Sequence, residues 1–175
     1  YESKGYKNAQ EMNTLLKSFD GDIKHLNKAI ELYFNNEKDG RKLMFEFIGT
    51  EREIETDERL LIHILTNLIS NAFKYSKDCA NPELKINFME NGYKIKVVDY
   101  GIGILPEENK HMFKSFFRGS NTANIKGSGL GLIVAKQFTE NLIEKKYNFD
   151  LVTTNTTATQ TKELNNKKYK SYYFL

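Results

Sequence analysis

The chain has one cysteine, Cys79, which excludes an internal disulfide framework and any zinc site built on cysteine pairs. Its three histidines, His25, His63 and His111, stand far apart and offer no metal-ligand spacing. No apolar run approaches the roughly 18–20 residues of a membrane span, and the opening YESKGYKNAQ has no signal-peptide apolar segment. Charge of one sign is missing as well. Lys and Arg total 26 against 23 Asp and Glu, and the resulting +3 is spread as singles and pairs. That is too little and too dispersed for a nucleic-acid partner, and none is expected. The two prolines, in a chain rich in lysine and asparagine, reflect a compositional habit rather than a site. What remains is a chain of 175 residues, 39% hydrophobic and 28% charged, which reads as one soluble globular domain with a single core.

Residues 1–18 are polar and weakly patterned, a leading segment continuing from something upstream. Ile23, Leu26, Ile30 and Phe34 then recur at helical spacing, predicting a helix from about Asp22 to Phe34. NNEKDG (35–40) breaks it, and LMFEFIG (43–49) reads as a strand. Thr56 or Asp57 is placed to cap a helix running to about Ser76, with Leu60, Leu61, Ile64, Leu65, Leu68, Ile69 and Ala72 on its buried face. LKINF (84–88) and YKIKVVDY (93–100) alternate, and Asn91-Gly92 between them favours a tight hairpin. Pro106, Glu107 and Glu108 start a short helix ending near Phe116, and a further helix runs from about Leu130 to Glu144. FDLVTT (149–154) and YKSYYFL (169–175) are strand-like. Irregular alternation with a central hairpin argues against a doubly wound parallel sheet. It predicts an α/β fold in which helices cover one face of a mixed sheet.

Three groups of residues suggest chemistry. Asn67, Asn71, Lys74 and Tyr75 fall at i, i+4, i+7 and i+8, so they share one helix stripe. Asparagine is a poor interior helix residue, amide oxygens suit Mg²⁺, and an ammonium suits phosphate. A solvated face is the plain alternative. Next, Val97-Val98-Asp99 runs into Gly101 and Gly103. The carboxylate is able to read an exocyclic amine such as that of adenine while the glycines let a flat base approach; equally, Asp99 is able to cap its own turn. Finally, Gly127-Ser128-Gly129-Leu130-Gly131 opens a helix, where exposed backbone N–H groups favour an anion. It is neither a dinucleotide fingerprint nor a P-loop, and a flexible loop is the alternative. The polar GSNTANIK (119–126) before it has the makings of a lid, with Lys126 in reach of a phosphate.

The order and spacing of these groups are more specific than any one of them. NLISNAFKYS (67–76) resembles the N box of sensor histidine kinases, DYGIGI (99–104) their first glycine box, MFKSFFRG (112–119) the F box, and GSGLGLIVAK (127–136) the second glycine box. The likeness spans about 57 to 140, and DIKHLNKAIELYF extends it weakly back to about 22. The chain thus resembles the ATP-binding catalytic domain of a histidine kinase, within the gyrase, heat-shock-protein-90, histidine kinase and mismatch-repair ATPase superfamily. That resemblance implies a Bergerat-type two-layer α/β sandwich, its mixed, mostly antiparallel sheet covered on one face by helices, with ATP and Mg²⁺ as ligands.

Carried over by resemblance, Asn71 holds Mg²⁺, Asn67 lies near the phosphates, and Lys74 contacts a phosphate. These three are the expected catalytic residues. Tyr75 lies beside adenine, Asp99 reads it, and Gly101, Gly103 and Ile104 line it. Lys126 belongs to the lid, Gly127, Ser128, Gly129, Leu130 and Gly131 to the phosphate side, and Ser171 stands where the family often has threonine. Arg118 matches a frequent F-box arginine, and Phe113, Phe116 and Phe117 read as core that anchors the lid. Hydrolysing members of the superfamily carry a water-activating glutamate one turn before the Mg²⁺ asparagine. Asn67 stands there, and an amide takes no proton at neutral pH, which favours a kinase over an ATPase.

Two features depart from the pattern. TNTTATQTKELNNKK (153–167) holds no glycine, so the third glycine box is missing, and none of the three histidines has the acidic neighbour of a phosphoacceptor. The resemblance therefore implies a catalytic fragment. Residues 1–20 lead in from an absent dimerisation and phosphoacceptor domain, and 21–175 form the ATP-binding domain. The expected partners are that absent domain and a response regulator. The isolated domain is expected to be monomeric and cytoplasmic, the full-length protein a homodimer of the kind that can be anchored in the inner membrane. Two other readings stay open. An anti-sigma-type protein serine kinase or regulatory module shares these boxes, and a degenerate scaffold would ignore nucleotide.

Overall fold

The computed structural model describes residues 40–50, 56–89, 92–144, 151–156 and 169–174. The leading segment, the predicted helix from Asp22 to Phe34, most of the 35–40 breaker, Asn91 of the predicted turn and residues 157–168 lie outside them.

Helix α1, Glu58–Tyr75, starts where Asp57 takes an extended conformation and its Oδ1 accepts the Leu60 N–H at 3.2 Å. Leu61, Ile64, Leu65, Leu68, Ile69 and Ala72 are all essentially inaccessible to solvent, so the stripe read from the sequence is the core face. The far end is closed by a residue outside the helix. Arg41 donates from Nη1 to the Ser76 carbonyl (2.7 Å) and Oγ (2.9 Å), and from Nη2 to the Phe73 carbonyl (2.9 Å). A cation on exposed C-terminal carbonyls is favoured by the helix dipole.

Five strands form one sheet: β1 (Met44–Ile48), β2 (Glu83–Met89), β3 (Gly92–Asp99), β4 (Leu151–Thr156) and β5 (Tyr169–Phe174), in the order β1-β2-β3-β5-β4. Only β1 and β2 run parallel, so the sheet is mixed and mostly antiparallel, as expected. Met89 opposes Gly92, Ile86 opposes Ile95 and Leu84 opposes Val97. In that register Leu84, Ile86, Ile95 and Val97 share one face and are buried with the apolar stripe of α1 and with Ala135 and Leu142 of the second helix, α2 (Gly131–Glu144). On the opposite face Lys85 bridges Glu46 at 2.5 Å and Glu83 at 2.7 Å, and the Tyr100 hydroxyl donates to Glu83.

The short helix expected up to Phe116 is a 3₁₀ helix, Pro106–His111, followed by turns. Phe116 adopts a left-handed backbone, φ 61°, which no right-handed helix admits, and it is 72% exposed rather than core. Phe113 alone of the three predicted core phenylalanines packs against the central cluster. No described helix is long and apolar enough to cross a membrane.

Candidate nucleotide site

A cavity of about 320 Å³ opens between α1, the start of α2, the turn after β3 and the loop 119–126. The periodicity of α1 aims Asn67, Asn71, Lys74 and Tyr75 into it, so the polar stripe is a cavity wall. Asn67 donates from Nδ2 to the His63 carbonyl at 2.9 Å. Its Oδ1 faces Gly131, the first residue of α2. A Cβ there would stand 3.4 Å from Asn67 Oδ1 and 3.5 Å from Asn71 Nδ2. The first-turn N–H groups of a helix have no intrahelical acceptor, so a helix start facing two amides is suited to an anion. Leu130, just before the helix, donates its N–H to Ser128 Oγ at 3.3 Å.

Lys74 Nζ donates to the Tyr75 hydroxyl at 3.2 Å, lies 4.7 Å from that ring's centroid, and stands where a Cβ on Gly127 would fall, 2.3 Å away. Gly127, Ser128, Gly129, Leu130 and Gly131 all line the cavity, as do Gly103 and Ile104. Gly129 has φ 72°, and a side chain there would meet the Phe116 and Phe117 backbone at 2.7 Å, so only glycine seats the second glycine box on the F box.

Asp99 is buried, 1% exposed, and its Oδ1 accepts the Gly101 N–H at 3.0 Å, so that oxygen caps its own turn. Gly101 does not line the cavity. The carbonyl of Tyr75 presses on it, accepts the Ile102 N–H at 3.1 Å, and would lie 2.1 Å from a Cβ on Gly101. Gly101 and Lys126 open instead onto a second, more open cleft beyond Lys74 and Tyr75, shared with Lys77 and Cys79. Ser171 lies in β5 opposite Val98, one register step from Asp99. His63 does not line the cavity; its ring meets Phe138 of α2 at a tilt of 57°, centroids 5.5 Å apart.

The cavity also takes in Ser70, Glu108, Met112, Phe117, Asn121 and Thr122, which the sequence did not single out for it. Ser70 was legible, since it stands three residues after Asn67 and four before Lys74 on the same helix; the loop residues carry no periodicity to read. Arg118 lines the cavity too, and donates to the carbonyls of Thr122 (2.8 Å) and Ile125, folding the loop on itself. Behind Phe117 the His111 ring packs at 5.8 Å between centroids. Desolvation, and then the charges of Lys114 and Lys110, hold that imidazole below its ordinary range.

A one-face α/β sandwich with hard amide donors, an ammonium and a helix start around one cavity defines a nucleotide-binding domain. The profile of the histidine kinase-, DNA gyrase B- and HSP90-like ATPases matches residues 56–165, and the chain belongs to that family as an ATP-binding catalytic domain of the histidine-kinase type. The histidine protein kinase SaeS of Staphylococcus aureus (strain USA300) is 35% identical over 133 residues, covering 73% of this chain and 34% of SaeS. The chain thus spans about a third of the length of the curated relatives it matches. Among solved structures, the mycobacterial sensor histidine kinase MprB superposes with a TM-score of 0.59 at 24% identity, over 75% of this chain and 81% of that one. The Acinetobacter baumannii histidine kinase AdeS gives 0.58 at 20% identity, over 97% and 74%. These two share the fold.

Proposed function

We propose that this domain binds Mg²⁺-ATP in the cavity and donates the γ-phosphate to a histidine on a separate helical dimerisation domain, from which a response regulator takes it. One observation carries the reading: Asn67, Asn71 and the start of α2 converge within ordinary contact distance, with Lys74 against Gly127 alongside. Amide oxygen, ammonium and free backbone N–H groups are the donor set that a polyphosphate with a hard cation requires. Among the described residues no three His, Cys, Asp or Glu cluster to hold a metal by themselves. Asn71 would hold a divalent ion through its amide oxygen, and the ion would supply charge neutralisation at the phosphates. Lys74 and the start of α2 would offset charge on the transferred group, and phosphoryl transfer rests mainly on such positioning and charge stabilisation. On this reading Asp99 and Ser171 serve the adenine side, residues 1–20 lead in from the acceptor domain, and 21–175 are the catalytic unit. On this reading the isolated domain is a cytoplasmic monomer, and its full-length parent is a homodimer of the kind that can be anchored in the inner membrane.

The test is a thermal melt with Mg²⁺ and a non-hydrolysable ATP analogue, in the wild type and in Asn71→Ala and Asp99→Ala. Ligand at 100 times its dissociation constant should add about 2.7 kcal/mol of stability in the wild type and almost nothing in either variant. A well-folded wild type that ignores millimolar analogue overturns the reading in favour of a scaffold. A shift in the wild type, with no acid-labile phosphate on a histidine-bearing hairpin supplied in trans, overturns the kinase step alone.

A further inference from the structure

At its start the loop 119–126 is fastened to the turn after β3, and at its far end the Ile125 carbonyl is held by Arg118, the residue just before the loop. The Asn121 side chain donates from Nδ2 to the carbonyls of Gly103 (3.1 Å) and Ile102 (3.3 Å). An amide has two N–H donors, so one asparagine satisfies both carbonyls, which neither aspartate nor serine can do. Beside it the Glu108 carboxylate accepts the Ser120 N–H at 3.0 Å. Gly119 is pinched between these two side chains. A Cβ there would lie 2.9 Å from Asn121 Oδ1 and 2.9 Å from Glu108 Oε2, so any larger residue would wedge the clasp open. Asn121 also stands on the rim common to the cavity and the second cleft. At the other end Lys126 faces the second cleft, away from the amides of α1.

We infer that Asn121 is the positioning residue of the lid, and that it ties lid closure to the base end of the nucleotide rather than to its γ-phosphate. The inference rests on the nucleotide reading above and deepens it. Gly103 lines the cavity and its carbonyl takes the latch, so a ligand settled against Gly103 stiffens the anchor that Asn121 grips. The triphosphate end, at Asn67, Asn71 and Gly131, shares no hydrogen bond with residues 119–126 among those the structure gives. Adenosine and ADP are then sufficient to order the lid.

The experiment is amide hydrogen exchange of residues 120–125 in the 175-residue chain, with adenosine, ADP and a non-hydrolysable ATP analogue each at saturation, alongside Asn121→Ala, Asn121→Asp and Gly119→Ala. ADP and adenosine should slow lid exchange as much as the triphosphate analogue does. All three variants should lose that protection and release ADP about fivefold faster, a factor of the size expected from one net hydrogen bond. Their melting temperature without ligand should stay within a degree or two of wild type, because the clasp is peripheral to the core. Asn121→Asp should be the worst binder of the three, since it sets an anion against two carbonyl oxygens. Protection that appears only with the γ-phosphate, or an Asn121→Ala lid that ADP protects as well as wild type, overturns the inference while leaving the nucleotide site standing. A wild type whose melt no nucleotide shifts overturns the nucleotide reading and the latch with it.

Discussion

Glycines that look alike in the sequence separate once their neighbours are known. Gly101 lies against the carbonyl of Tyr75, a backbone atom at the end of α1 that cannot swing aside. Gly127 lies against Lys74 Nζ, the far end of a flexible side chain. Gly101→Ala should therefore cost about 3 kcal/mol in urea unfolding, the upper part of the range for overpacking. Gly127→Ala should stay within about 0.5 kcal/mol of wild type while weakening nucleotide binding, because the lysine is pushed off its place. Equal stability losses in the two variants would show that the turn after β3 is free to move away from α1. The sequence offered both as glycines of a phosphate or base cradle. Proximity to Tyr75 is a tertiary fact, and nothing in DYGIGI announces which of its glycines faces the ligand and which faces the helix.

The long helix was the most legible element, since its apolar and polar stripes follow from a period of 3.6 and its cap from the preference of short oxygen-bearing side chains for a helix start. Its C-terminal clasp was not legible, because Arg41 precedes Ser76 by 35 positions and reaches it only once β1 has paired with β2. Arg41→Ala should cost about 2–3 kcal/mol, as three hydrogen bonds from a cation to helix-end acceptors are lost together. Lysine should recover only part of that, lacking the fork that spans Phe73 and Ser76; Asp57→Ala at the other end should cost about 1 kcal/mol. Phe116 was misread for the opposite reason. An aromatic in an apolar run reads as core, and a left-handed φ has no sequence signature outside glycine and asparagine. On the sheet's outer face, burial pushes the Glu83 carboxyl up, but hydrogen bonds from Lys85 and Tyr100 and the charges of Lys85 and Lys96 outweigh it and leave the pKa below the ordinary value. The stability this contributes is present above the unfolded carboxylate value, about 4.3, and is lost as pH falls through the lower folded value. Lys85 is shifted upward by Glu46 and then Glu83, so its share is lost only in strong alkali. The gap in unfolding free energy between wild type and Glu83→Gln should therefore be flat from pH 6 to 8 and shrink below about pH 4. A gap that persists at pH 3 would mean the glutamate acts through packing alone.

At the scale of the whole molecule the question is where the phosphate goes. Of the residues lining the cavity Glu108 is the carboxylate, and one of its oxygens already accepts the Ser120 N–H of the lid. One turn before Asn71, where hydrolysing relatives by resemblance keep a glutamate, stands Asn67, with its amide nitrogen donated to the His63 carbonyl. An amide at position 67 takes no proton from water, and Glu108 is engaged at the lid through Ser120, so bound ATP should persist until a nucleophile arrives from another domain. None of the chain's own histidines has a phosphoacceptor's acidic neighbour, and the His63 ring lies against Phe138 of α2. The chain alone, given Mg²⁺-ATP, should release phosphate scarcely faster than buffer and gain no acid-labile label. Asn67→Glu reinstates a base beside the phosphates and should raise phosphate release at least about tenfold, at the low end of what general-base catalysis supplies. The same variant should pass less label to a histidine-bearing hairpin than wild type does. If instead the wild type hydrolyses ATP as fast as Asn67→Glu, the cavity already holds a working base, and the absence of a carboxylate at position 67 cannot be what would separate the proposed phosphate donor from hydrolysing members of the superfamily.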